Sequence, residues 1–348
     1  MRTVIRTQGT LREALPVLVM SLVFALLYLY ASVLSDNSIL SRQARFEVDT
    51  PFRFRFVLPY LLHFILPDRQ LDAKWLKVLA ATLSTIACLV LLPRFFERLT
   101  RIKPDSSTVQ QLQLGMLTML VLHYCVPREL NIYYFNDLPA IVLYLTCFLL
   151  LTKSSRIPVS AALVTVAASL NRETVVIALF HAAAFHLTSS VLAFPMAERR
   201  QALLRLALIG VTIALVRLAV NHVLHSDVTA NAVPMEGERM RFAANLDRML
   251  HDYRAAVRLP MIGFGLILWL PLVFGRLPWE IRHTHLWSLP PLAVLVWAGN
   301  FTELRIYNEL VPLWVVSLAW LWPGPPKSAM EAARAVTDCS GQSTRESG

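Results

Sequence analysis

The chain has 348 residues, 56% of them hydrophobic and only 16% charged, with a mean hydropathy of +0.53. A water-soluble fold of this size cannot hide that much apolar surface, so lipid is the expected solvent for most of the chain. The net charge of +10 then points to Lys and Arg held at the cytoplasmic side of a membrane, and not to nucleic acid as a partner.

Ten apolar runs are candidate spans. The first, residues 14–34, follows Arg2, Arg6 and Arg12 and is too long for the apolar core of a cleaved signal, so it reads as a retained span. A polar stretch comes next, with Asp36, Glu47, Asp49, Arg53 and Arg55. Residues 56–66 are apolar but too few to cross, and Pro59 interrupts them; a re-entrant or interfacial helix is expected there. Spans follow at 75–92, 112–126, 138–151, 157–170, 174–192, 206–224, 259–274, 286–299 and 310–322. Within 238–253, Phe242, Leu246, Met249, Leu250 and Tyr253 recur at helical spacing, as in an amphipathic helix lying on the outer surface. The fold class expected is therefore all-α and polytopic. One transmembrane domain covers 1–322, with outer loops at 35–74 and 225–258. A disordered cytoplasmic tail, 323–348, is rich in Pro, Gly, Ser and charge. The four cysteines, Cys88, Cys125, Cys147 and Cys339, have neither disulfide nor zinc spacing.

The stretch Asn171-Arg172-Glu173 organises the rest. It lies between two apolar runs, the first only 14 residues long. Such a helix reaches about 21 Å, against about 30 Å of hydrocarbon, so its polar end should sit sunk below the membrane surface. Two outcomes are open: charges lining protein or a water-filled cavity, or a tight turn whose charges pair. With the N-terminus inside, both termini are cytoplasmic, and the short-span hairpins three–four, five–six and nine–ten turn at the outer face. Their tips carry Arg128 and Glu129 with Asp137, then Arg172 and Glu173, then Glu303 with Arg305 and Glu309. Fifteen of the 23 acidic residues fall in the outer segments, which describes a polar vestibule open to the outside. Mid-span, only Arg217 is charged, and its long stem is able to carry its head to the interface.

A carboxylate against a hydroxyl is the minimum for general-base chemistry, and Asp36, Glu47 and Asp49 are the candidates; two close together could hold a divalent cation, Mg or Mn. Plain solvated loop charge is the alternative. Arg53, Arg55, Arg128, Arg172 and Arg305 suit a lipid-linked phosphate, because the guanidinium fork binds two oxygens at once. Phe52, Phe54 and Phe56 alternate with Arg53 and Arg55, which would set rings and guanidinium groups on opposite faces of an extended segment. His222, His225 and Asp227 have the spacing of a zinc site but lack an evident further ligand. His63, His123, His181 and His186 read as packing residues with satisfied hydrogen bonds, not as ligands.

Four short elements, in order, resemble those of the GT-C superfamily of polytopic glycosyltransferases. Pro51-Phe-Arg53-Phe-Arg55-Phe-Val-Leu-Pro59 resembles its Tyr-Arg-Val-Leu-x-Pro element. Asn136-Asp137-Leu-Pro139-Ala140 resembles Tyr-Asp-x-Pro-Ala, Asn171-Arg172-Glu173-Thr174 resembles Asn-(Lys/Arg)-Glu-Thr, and Glu303-Leu-Arg305 resembles a terminal Glu-x-Arg. The resemblance implies an inverting transfer from a polyprenyl-phosphate sugar to a glycan or lipid-linked acceptor at the outer face of the cytoplasmic membrane. It also implies an acidic general base in the first outer loop, for which Asp36 and Asp49 are the candidates. Glu129, Asp137, Asn171, Glu173 and Glu303 join the arginines as expected substrate-binding residues. No paired acidic element directly follows span one, which leaves the base and any metal open. A transporter or flippase of lipid-linked oligosaccharide, a non-catalytic subunit, and a polymerase or ligase in polysaccharide biosynthesis are the competing readings.

Overall fold

The structure, a computed structural model, describes residues 2–31, 39–45, 57–71, 73–125, 136–154, 156–188, 195–226, 246–247, 250–251, 266–298 and 304–321. Every regular element among them is helical. Helix α1 (Arg2–Ala31) leads to two short helices, α2 (Ile39–Ala44) and α3 (Val57–Ile65), and a single turn, α4 (Asp68–Leu71). Then come α5 (Lys74–Thr100), α6 (Ser106–Tyr124), α7 (Asp137–Leu151), α8 (Val159–Asn171), α9 (Ile177–Thr188) and α10 (Met196–Ser226). The last three are α11 (Leu266–Val273), α12 (Trp279–Ala298) and α13 (Val311–Leu321).

Local chemistry explains where several of these begin and end. The Asp105 carboxylate accepts from the Thr108 backbone N–H at 2.8 Å, a side-chain N-cap that starts α6 at Ser106, six residues before the apolar run. Helix α8 ends at Arg172, whose backbone is extended (φ −155°, ψ 129°), and a 3-10 turn, Glu173–Val176, then leads into α9. One extended residue thus reverses the chain between two helices. Helix α5 ends with Arg101 in the left-handed conformation (φ 61°), its N–H bonded to the Glu97 carbonyl at 2.7 Å.

Helix α5 packs against α1 and α7; α7 also meets α8 and α9; α9 meets α10 and α12; and α6 lies along α13. The core between them is apolar and aromatic. Phe95 and Phe148 rings meet at 4.7 Å, and Tyr28 and Tyr124 also at 4.7 Å. A second, smaller cluster, Leu40, Ala44, Leu71 and Leu76, joins α2 and α4 to the start of α5. Helix α3 covers most of the interval where a short non-spanning helix was expected, in contact with α2, α4 and α8.

Two helical segments, Lys74–Thr100 and Met196–Val220, are long and apolar enough to cross a membrane. Shorter apolar helices lie at Leu15–Ala31, Asp137–Leu151, Val159–Asn171 and Thr174–Thr188. The outside of the bundle is apolar where these helices face away from it. Leu15, Leu18, Leu22 and Leu26 on α1 and Leu204, Leu208, Leu215 and Leu218 on α10 are all exposed. Of the expected outer amphipathic helix, only 246–247 and 250–251 are described; the rest, and the tail, lie outside the described residues.

One close contact between helices involves a glycine. A Cβ at Gly115 on α6 would stand 3.1 Å from Val315 Cγ1 on α13, whereas one at Gly210 on α10 would have ordinary contact, 3.8 Å from Leu179. Gly115→Leu is expected to overpack that seam and lower stability by about 1–3 kcal/mol. Gly210→Ala should be neutral or raise stability by about 1 kcal/mol through helix propensity. Thermal unfolding of the purified protein in detergent checks both.

Candidate functional site

Three helix ends and a 3-10 segment meet at one end of the bundle. Asp137 is the first residue of α7, where its carboxylate also faces the positive end of that helix. Arg172 is the extended residue between α8 and the 3-10 turn, and Glu309 lies in the 3-10 segment Leu304–Leu310, just ahead of α13. The Arg172 Nη1 donates to Asp137 Oδ1 at 2.7 Å, and its Nε lies 3.3 Å from Glu309 Oε1. The Thr174 hydroxyl donates to the same Glu309 oxygen. Arg172 is 2% exposed, and Asp137 and Glu309 are fully buried.

A second, uncharged set of contacts ties in α6 and α1. The Asn308 amide N–H donates to the Tyr124 hydroxyl, and its carbonyl faces His123 Nδ1 at 3.3 Å. The Tyr124 ring packs on Tyr28 and Phe24 of α1. Asp137, Arg172 and Glu309, one from each expected hairpin tip, therefore lie together, but Arg172 is enclosed by protein and its fork is engaged by two carboxylates. Two of its partners come from α7 and from the 3-10 segment before α13, so its charge is paired across the molecule.

The electrostatics are unequal. One guanidinium serves two carboxylates, and Asp137 has the shorter, more direct bond. Burial raises the Glu309 carboxyl above its usual range, while Arg172 and then Thr174 pull it back. Asp137 Oδ2, Glu309 Oε2 and both polar atoms of the Asn171 amide are buried and make no hydrogen bond among the described residues. A knot of this kind can clamp hairpin tips together. It presents no open carboxylate to an acceptor hydroxyl.

Of the other expected site residues, Asp36, Glu47, Asp49, Arg53, Arg55, Arg128, Glu129 and Glu303 lie outside the described residues. The backbones of Glu173 and Arg305 lie in the two 3-10 segments. His222 is exposed on α10, Asp227 is outside the described residues, and no cluster of three or more metal-ligating side chains occurs among those described. The Arg217 Nη2 donates to the Ser169 carbonyl at 2.8 Å, satisfying one of the last carbonyls of α8.

Polar groups inside the apolar runs find partners on neighbouring helices. Tyr144 donates to His181 Nδ1 at 2.6 Å, and His181 Nε2 donates to Ser288 at 2.7 Å, joining α7, α9 and α12 in the middle of the bundle. His285 Nε2 donates to Ser317 at 2.8 Å, joining α12 to α13. The available signal was a histidine within an apolar run, which needs a partner wherever water is excluded.

Arg172→Ala would leave two buried carboxylates without their cation and should cost about 3–5 kcal/mol of stability. Arg172→Lys should recover only part, since one ammonium cannot serve two carboxylates as the planar fork does. Because the folded Glu309 carboxyl titrates above its unfolded value of about 4.3, the folded state holds the extra proton, and this group's contribution is complete below that value. It should be lost as pH rises through the folded value, and Glu309→Gln should flatten that slope in unfolding curves across pH. No family model matches this chain, and no curated protein or solved structure matches it either, so the chemistry of the site has to be read from its own residues.

Proposed function

We propose that the chain is a polytopic membrane glycosyltransferase with about ten spans and both termini in the cytoplasm, acting at the outer face of the cytoplasmic membrane. The observation that carries this reading is the gathering of the tips of three hairpins at one end of the bundle, around Asp137, Arg172 and Glu309. Exposed leucines along α1 and α10, with Arg172, Glu309, His181 and His285 buried inside, support lipid as the surrounding medium. The order of the four short sequence elements supports the superfamily.

In this reading a first-loop carboxylate, Asp49 or Asp36, with Glu47 beside them in sequence, takes the proton from the acceptor hydroxyl. The acceptor oxygen bonds to the anomeric carbon as that carbon's bond to the phosphate oxygen breaks, with inversion. The polyprenyl phosphate departs with the electron pair, and Arg53, Arg55, Arg128 and Arg305 neutralise its charge as it develops. The knot's part is to hold the tips from which these loops spring.

A second reading, a transporter or flippase, is favoured by one observation: the Tyr144–His181–Ser288 chain places polar groups in the middle of the bundle, where a pathway would need them. The two separate cleanly. With a polyprenyl-phosphate sugar as donor, Asp49→Asn or Asp36→Asn should lower transfer by about 100-fold or more, as loss of a general base does. Full transfer in both variants would remove those residues as the base. Uptake or flipping in liposomes without any transfer product would replace the transferase with the transporter.

A further inference from the structure

The opposite end of α7 carries a second charged feature. Leu151 is fourteen steps along the helix from Asp137, so the two ends of this helix stand about 21 Å apart. At the far end a cavity of about 670 Å³ opens between the C-terminal parts of α5, α7 and α9. Its polar wall is Arg94, Arg98 and Arg101 with Lys153, against a single acid, Glu97, which leaves three net positive charges (four less one). Leu149, Leu150 and Phe185 form its apolar wall.

Helix C-termini attract bases, and cytoplasmic loops collect them, so basic residues alone would mean little here. Three further observations single this group out. The bases surround one concavity, of the volume ligand pockets have, instead of being spread along a rim. Among the described residues none of the four forms an ion pair, although Glu97 lies in the same wall. Arg101 sits at the left-handed position that ends α5, where glycine would be less strained, and its guanidinium lies over the Phe185 ring at 5.7 Å. The strained residue is thus the one held by a ring at the cavity wall, between the charged and apolar surfaces.

We propose that this cavity binds the phosphate of an anionic phospholipid headgroup from the cytoplasmic leaflet, with the guanidinium groups on the phosphate and the lipid's apolar part against Leu149, Leu150 and Phe185. The inference rests on the membrane reading above but not on the transferase. Unpaired bases beside an apolar wall match a phosphate carried at the edge of hydrocarbon. Bound there, the lipid ties α5 to α7 and α9 at the end remote from the charge knot.

The test uses the full-length protein in detergent, with thermal unfolding read as phosphatidylglycerol, phosphatidylcholine or inorganic phosphate is added. Phosphatidylglycerol should raise the midpoint by about 4 °C, and the other two by much less. Arg98→Gln with Lys153→Gln should abolish the rise. Arg101→Gly relieves the backbone, so its midpoint without lipid should be unchanged or higher while its response to lipid falls. Arg199→Gln with Arg200→Gln removes the same charge at the start of α10 and should keep the full response. Equal stabilisation by phosphatidylcholine, a response surviving in the Arg98/Lys153 double variant, or equal loss in the Arg199/Arg200 control overturns the site. An equal rise with inorganic phosphate makes the ligand a free anion and overturns the lipid. Alkaline carbonate extraction separates the two levels of failure. A chain released from membranes ends the membrane reading and this inference together, whereas a chain retained in membranes but indifferent to phosphatidylglycerol ends only the inference.

Discussion

The architecture depends on one guanidinium. Arg172 leaves α8 at an extended residue and meets Asp137 of α7 and Glu309 ahead of α13, all three enclosed by protein. In such surroundings an unpartnered charge is costly, so each member of the set makes the positions of the others obligatory. The directional part of the interaction is the Arg172–Asp137 bond at 2.7 Å; Glu309 is held more loosely and shares its near oxygen with Thr174. Because a buried ion pair fixes where its members lie, it sets the ends of these helices against one another.

Around that clamp the bundle is organised with polar groups inward and much of its apolar surface outward. His181 joins Tyr144 to Ser288, and His285 reaches Ser317, so three of the helix contacts pass through a hydrogen-bonded imidazole. Small residues do comparable work between α6 and α13, where Gly115 admits Val315. Helix α7 links the two ends: its first residue is in the knot, and its last turn borders a basic cavity bounded by Arg94, Arg98, Arg101 and Lys153. A carboxylate–arginine cluster at one end and unpaired bases at the other give the bundle a definite polarity along its axis.

Much of this was legible in the residues. The short helix at 57–65, the reversal at Asn171-Arg172-Glu173, and the importance of Asp137 and Arg172 all follow from charge placed where an apolar run is too short. Helix limits were less legible. Helix α6 begins at Ser106 because Asp105 caps it, and α12 begins at Trp279, seven residues before the apolar run. Hydropathy marks what lipid or core tolerates, whereas helix ends follow caps and backbone hydrogen bonds.

By itself, the order of residues determined the helical class and the positions where charge had to be reconciled with apolar surroundings, because these depend on composition and local spacing. Only tertiary structure decided which charges meet. Arg172 has Glu173 as its neighbour in the chain, yet two of its partners lie 35 residues back, at Asp137, and 137 residues on, at Glu309. Choosing among acids for one arginine is a question of which helix ends share a depth and a face, and that is settled by packing of α7 on α8 and of the 3-10 segment before α13 on α7. A one-dimensional pattern carries the need for a partner; the partner's identity comes from three-dimensional proximity.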